Sequence, residues 1–163
     1  VADVMTRDLL TITPTESVLM AWELMRQARC HHLPVVDDEG RCLGVLDAQT
    51  LAATWETGGP DRARKPVSAL LTKHTIATVH PDDRLSTAAK AMLRQESDHV
   101  AVTEPRGLLV GLLTANDLIA TLAGVERTPS ADRTATPSLY RIEAVLPEEP
   151  QGGHRPRSRI PPE

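Results

Sequence analysis

Residues 11–54 read TITPTESVLMAWELMRQARCHHLPVVDDEGRCLGVLDAQTLAAT, and residues 78–121 read TVHPDDRLSTAAKAMLRQESDHVAVTEPRGLLVGLLTANDLIAT. The two stretches align without a gap. Shared residues recur 67 positions later, among them Pro14 as Pro81, Met25 as Met92, His32 as His99, Gly44 as Gly111 and Leu51 as Leu118. Chance does not hold one register for so long. The flanks repeat too, VADVMT at 1–6 and VSALLT at 67–72, one residue out of register. Two copies are too few for a solenoid, which needs at least three, so the repeat predicts two halves about a pseudo-twofold axis.

Each copy carries the same local signals. Thr11–Thr13 reads as extended and ends at Pro14, which lacks a ladder donor and biases its predecessor away from helix. Thr15 is placed to cap a helix. Val18, Ala21, Leu24, Met25 and Ala28 then fall on one helical face. Leu33–Val36 and Leu43–Leu46 flank the turn Asp37–Gly40 and predict a hairpin. A second amphipathic helix follows at Ala48–Trp55. In the second copy the corresponding elements are Thr78–Val79, a helix from Asp82 to about Gln95, strands Val100–Thr103 and Leu109–Leu113, and a helix from Ala115 to about Leu122. The fold class is therefore α/β (α+β), two β-α-β-β-α units with half-sheets packed together and helices outside.

The expected organisation is a first copy at 1–55, a linker at 56–66 (ETGGPDRARKP), a second copy at 67–124 and a tail at 125–163. The tail holds seven of the thirteen prolines and balances six Arg against six acids, the composition of a flexible segment. Within it, Ser138–Leu146 (SLYRIEAVL) alternates well enough for a short added strand, docked on this subunit or on a neighbour.

Composition narrows the function. The 163 residues include two Trp, one Tyr and no Phe, too few rings for base-stacking on single-stranded nucleic acid. A net charge of −4 gives no field that attracts nucleic acid or an anionic membrane. No apolar run reaches a membrane span, no signal-peptide layout opens the chain, and two cysteines do not make a disulfide scaffold. A cytoplasmic protein is the expectation.

The stretches TITP and TVHP, HHLPVVDDEG, and GLLTANDL resemble the three signatures of CBS motifs, named for the regulatory domain of cystathionine β-synthase. The resemblance spans residues 1–124. It implies a paired regulatory module, a homodimer, and a cleft that takes AMP, ADP, ATP or S-adenosylmethionine. An adenosine ligand needs an apolar slot, an acceptor for ribose hydroxyls and donors for phosphate. By motif position, Asp117 accepts the ribose hydroxyls, and Thr114 donates to phosphate near the positive end of a helix. Val79, Pro81, Val100 and Ala101 form the slot, backbone groups of Val100 and Val102 read the adenine edge, and Thr78 joins this set. His31 and His32 are candidates for a phosphate contact across the cleft.

The first copy departs from the pattern, with Asp47 where Thr is expected and Thr50 where Asp is expected. A carboxylate there repels phosphate, so one competent site is predicted, built mainly by the second copy. No metal site is expected. Cys30, His31, His32 and Cys42 lack zinc-ligand spacing, and Asp37–Glu39 reads as a solvated turn rather than a calcium loop. No nucleophile–base pair, P-loop or Rossmann glycine pattern occurs, which disfavours an enzyme. The alternative to a sensor is a ligand-free dimerisation scaffold. The predicted dimer face carries Leu118, Ile119, Leu122 and Ala123.

Overall fold

The structure is a computed structural model and describes residues 1–53, 63–71, 76–125 and 139–141. The first copy contains β1 (Leu9–Thr11), α1 (Val18–Ala28), β2 (His32–Val36), β3 (Cys42–Asp47) and α2, helical over 48–53. The second contains β4 (Thr78–Val79), α3 (Leu85–Arg94), β5 (His99–Thr103), β6 (Leu109–Thr114) and α4 (Ala115–Leu122). A last strand, β7 (Leu139–Arg141), pairs in parallel with β1, so part of the predicted tail strand lies on this subunit. The end of the predicted second helix, most of the linker 56–66 and the rest of the tail lie outside the described residues.

The two hairpins are built alike. β2 pairs antiparallel with β3, and β5 with β6, and each pairing shifts register at the same place, between Val35 and Val36 or between Val102 and Thr103. The turns need a positive φ, supplied by Gly40 (φ 81°) and its equivalent Gly107 (φ 83°). The helices end alike too, in the left-handed conformation at Arg29 (φ 52°) and just past α3 at Glu96 (φ 51°).

Two helix starts differ from expectation. The N-cap of α1 is Ser17, whose Oγ accepts from the Met20 N–H at 3.1 Å, not Thr15. Thr15 instead meets the Thr13 hydroxyl at 3.3 Å, inside a turn closed by Glu16 N–H donating to Thr13 O. Helix α3 starts at Leu85 rather than Asp82. Asp83 Oδ2 accepts from His80 N–H at 2.7 Å, which holds 80–83 as a turn and delays the helix by three residues.

The slipped flanks are crossing arms. Val1 and Ala2 donate to Asp83 O and Pro81 O of the second copy. Val67 and Ser68 donate to Glu16 O and Pro14 O of the first. Thr6 exchanges two backbone hydrogen bonds with Leu112 on β6, at 2.8 and 2.9 Å. Met5 crosses Gly111 and Leu71 crosses Gly44, each so closely that a Cβ on the glycine would lie 2.5 Å from the covering side chain. The arm of each copy therefore packs on the sheet of the other.

Three apolar cores follow. The first joins α1, β2 and the second arm through Val18, Met25, Leu33, Leu51 and Val67. The second joins α3, β5 and the first arm through Met5, Ala88, Met92 and Val100. The third is shared, with Leu9 and Val36 from the first copy against Ala101, Leu109 and Leu112 from the second. The hairpins also meet at their turns, where Leu109 N–H donates to Gly40 O at 3.1 Å.

Candidate functional site

Because the arms cross, each cleft is lined by both copies. The second-copy cleft has a volume of about 420 Å³. Its floor is the end of β6 and the first turn of α4, including Thr114 and Asp117. Its walls are Leu9 and Leu10 of the first arm and Cys30–His32, where α1 runs into β2. The equivalent cleft over the first copy holds Asp47, Thr50, Ile76 and His99, and is only about 180 Å³. Between them lies a wider cavity of about 650 Å³ containing His31, His32, Asp98 and His99.

The first turn of α4 is held by a capping box. Thr114 Oγ1 accepts from Asp117 N–H, and Asp117 Oδ2 accepts from Thr114 N–H at 2.8 Å and Thr114 Oγ1 at 2.7 Å. The sequence makes this possible by putting Thr and Asp three apart at the strand–helix junction. Asp117 is 2% exposed, so these bonds hold a nearly buried carboxylate. In the first copy the same cap is made with the residues exchanged. Asp47 is the cap, accepting from Thr50 N–H and Thr50 Oγ1, both at 2.7 Å, in a more exposed setting.

Thus His31, His32, Thr114 and Asp117 come together in one cleft. The other six predicted residues sit elsewhere. Val79, Val100, Ala101 and Val102 are buried in the sheet interior, and Thr78 and Pro81 lie at the surface end of β4 and in the turn after it. The apolar wall comes instead from Leu9 and Leu10. No local sequence signal points to them, because which copy each arm covers is a long-range choice. Asp8 and Asp98 add two carboxylates that motif reading also missed.

The electrostatics are mixed. Asp98 Oδ1 lies 3.0 Å from His99 Nδ1 and 3.0 Å from His32 Nε2. These ring contacts, His99's foremost, hold its carboxyl below the usual carboxylate range despite partial desolvation. Burial pushes the Cys30 thiol up, so the cysteine in the cleft wall is a poor nucleophile. Cys42 lies apart in the shared core, its thiol pushed up to about 11 by burial. Both cysteines are free thiols. The Asp37 carboxylate is occupied by its own turn, accepting from Glu39 N–H, Arg41 N–H and Arg41 Nε.

The CBS domain family pattern matches residues 1–54 and again 67–124. The chain belongs to the CBS domain family. Its fold is that of a CBS domain pair, superposing on the pair of protein MJ0100 in complex with 5′-methylthioadenosine and S-adenosyl-L-methionine with a TM-score of 0.68, at 21% identity over 77% of this chain and 97% of that one. It also superposes on CBSX2 in complex with AMP with a TM-score of 0.65, at 27% identity over 77% of this chain and 97% of that one. Among curated proteins it is 27% identical to a homoserine O-acetyltransferase of Methanococcus vannielii over 75% of this chain and 24% of that protein. It is 26% identical to an inosine-5′-monophosphate dehydrogenase of Mycobacterium tuberculosis over 86% of this chain and 25% of that protein. The chain thus spans about a quarter of the length of these enzymes, and the likeness covers the CBS pair. Among the described residues no helix is long and apolar enough to cross a membrane.

Proposed function

We propose that this CBS pair is a non-enzymatic, cytoplasmic regulatory module whose second-copy cleft binds an adenosyl ligand: AMP, ADP, ATP or S-adenosylmethionine. The carrying observation is the convergence of Asp117 and Thr114, at the start of α4, with the apolar Leu9–Leu10 wall of the other copy. About 420 Å³ is within the range of small-ligand sites, whereas about 180 Å³ beside Asp47 is below it. The AMP complex of CBSX2, at 27% identity, supports the ligand class. In this reading Asp117 accepts from the ribose hydroxyls, the base stacks against Leu9 and Leu10, and His31 or His32 meets the 5′ group. Thr114 already donates its hydroxyl to Asp117, so a phosphate contact requires it to rotate.

The cleft carries Asp8, Asp98 and Asp117 against only two imidazoles. Like charges at close range disfavour a polyphosphate. Affinity is therefore expected to fall from S-adenosylmethionine and AMP through ADP to ATP. Ligand binding would shift the relative tilt of the halves, because each wall belongs to a different copy. A homodimer is part of the proposal. Ile119 and Leu122 are 61% and 88% exposed on α4, while Leu118 of the predicted face packs inward on the second core.

The test is calorimetric titration of the four ligands, well below the melting temperature, on wild type, Asp117→Asn and Thr50→Ala. Loss of a charged acceptor costs about 1.5–3 kcal/mol, some ten- to hundredfold in affinity. Asp117→Asn should show that loss and Thr50→Ala should not. If no ligand binds the wild type, the scaffold reading takes its place.

A further inference from the structure

The pseudo-twofold axis brings together three side chains, of which the adenosyl proposal uses His32 as one of two contacts for the 5′ group and Asp98 only as a cleft charge. His32 and His99 are the same residue of the repeat, each at the first position of its hairpin. Their ring centroids lie 4.6 Å apart at an interplanar angle of 54°. The repeat differs at the residue before each, His31 in the first copy and Asp98 in the second. That difference places one carboxylate against two imidazoles. Asp98 Oδ1 lies 3.0 Å from both His32 Nε2 and His99 Nδ1, and one ligand atom from each of the three residues falls within 4.8 Å of the others.

We propose that His32, Asp98 and His99 form a binding site for a divalent transition-metal ion of the zinc class, placed on the axis between the two CBS copies. Zinc–nitrogen and zinc–oxygen bonds of about 2.0–2.2 Å give tetrahedral edges of about 3.3–3.6 Å. The two nitrogen–oxygen separations, 3.0 Å each, are a few tenths of an ångström short of that, and all three ligand atoms lie within 4.8 Å, so closing on an ion takes a shift of Asp98 with small ring adjustments. Two imidazoles with one carboxylate select zinc, cobalt, nickel or iron over magnesium and calcium, which take oxygen sets. The imidazoles are held, with side chains only 14% and 16% exposed, while Asp98 at 68% can adjust. Ser97 Oγ lies 3.2 Å from His99 Nδ1 and also donates to His99 O, which fixes the start of β5 beside the site. His32, Asp98 and His99 all line the central cavity, together with His31. The ion takes one ligand from the first copy and two from the second, so it staples the two halves together.

The experiment is calorimetric titration of zinc chloride, with cobalt chloride followed by its d–d absorption, on chelator-stripped protein. The expected result is one ion per chain, a raised melting temperature and a cobalt spectrum of mixed nitrogen and oxygen coordination. His32→Gln and His99→Gln should each lower affinity by more than the ~10–100-fold that loss of an outer-shell partner costs. Asp98→Asn alters an exposed side chain and should weaken binding without changing the circular-dichroism spectrum. Cys30→Ser and Cys42→Ser should bind as wild type. Absence of stoichiometric binding, or binding that survives both histidine substitutions, would overturn the proposal. So would a cobalt spectrum with thiolate charge transfer.

Discussion

The two α-helical caps at the ends of β3 and β6 offer a controlled comparison, because one pair of residues does one job in opposite order. Replacing Asp117 by Ala strands the backbone N–H and hydroxyl of Thr114 beside a carboxylate site that is 2% exposed. Two hydrogen bonds to a charged acceptor are lost with little water to replace them, a cost of about 3 kcal/mol. Replacing Asp47 by Ala removes two bonds of equal length, to Thr50 N–H and Thr50 Oγ1. Water reaches that cap, so the cost is that of an ordinary N-cap, about 1 kcal/mol. At roughly 2–4 °C per kcal/mol for a chain of this size, the ligand-free melting temperature should fall by about 6–12 °C for Asp117→Ala and about 2–4 °C for Asp47→Ala. The paired exchange Asp47→Thr with Thr50→Asp rebuilds the order seen at Thr114 and Asp117. It should return to within about 0.5 kcal/mol of wild type, although each single exchange destabilises. Differential scanning calorimetry with a double-mutant cycle measures both. Equal losses at Asp117 and Asp47, or additive effects in the paired exchange, would refute the assignment of these residues as reciprocal caps.

Four further outcomes follow from the packing and the thiols. Gly111→Ala places a Cβ 2.5 Å from Met5 Sδ and 3.2 Å from the Thr6 carbonyl, so the arm must move, at about 1–3 kcal/mol by urea unfolding. Gly44→Ala meets only the Leu71 side chain, which can turn aside, and should cost less in the same assay. Leu33→Ala and Leu113→Ala, both fully buried, should each cost about 2–5 kcal/mol, because each empties the core of a different copy. The Cys42 thiol, at about 11 when folded against a reference of 9.0, favours the folded state while protonated. That contribution is complete below about pH 9 and is lost as pH rises toward 11, a slope that Cys42→Ala should remove. A Cys30→Ser protein should accordingly react slowly with a thiol reagent at pH 8 until it is unfolded.

The parts of the fold that sequence made legible are those set by local chemistry repeated twice. The hairpins, their turn glycines and the helix faces were readable from alternation, from Gly40 and Gly107, and from spacing such as Val18, Ala21 and Met25. The helix starts were less so, because two polar residues compete for one cap. Thr15 and Ser17 both suit the role, and the turn at Thr13–Glu16 decides for Ser17. Of the residues that line the candidate cleft, the sequence pointed only to polar ones. The motif TANDL led to Thr114 and Asp117, whereas the wall at Leu9 and Leu10 depends on which copy each arm covers. That is a long-range choice, which no local pattern in the two flanks records.

On the proposed function, the same crossing couples an occupied cleft to the placement of the two copies. Were each arm packed on its own copy, the second-copy cleft would meet the first copy only at Cys30–His32, and a ligand there would not press on the shared core through Leu9 and Leu10. Here Thr6 is hydrogen-bonded to Leu112 of the second copy, while Leu9 and Leu10, just beyond it, wall the cleft over Asp117. Leu9 also sits in the shared core against Ala101 and Leu112. Cores at this density respond to a displaced side chain by repacking rather than by yielding evenly. A ligand pressed between Leu9–Leu10 and the first turn of α4 must therefore work on the shared core, and the relative placement of the copies is what that core fixes. Occupancy is coupled to tilt only to the extent that affinity differs between the two placements. Weakening the arm with Gly111→Ala should thus lower ligand affinity as well as stability, even though Gly111 does not line the cleft. If stability falls and affinity does not, the arm is a brace and the coupling lies elsewhere.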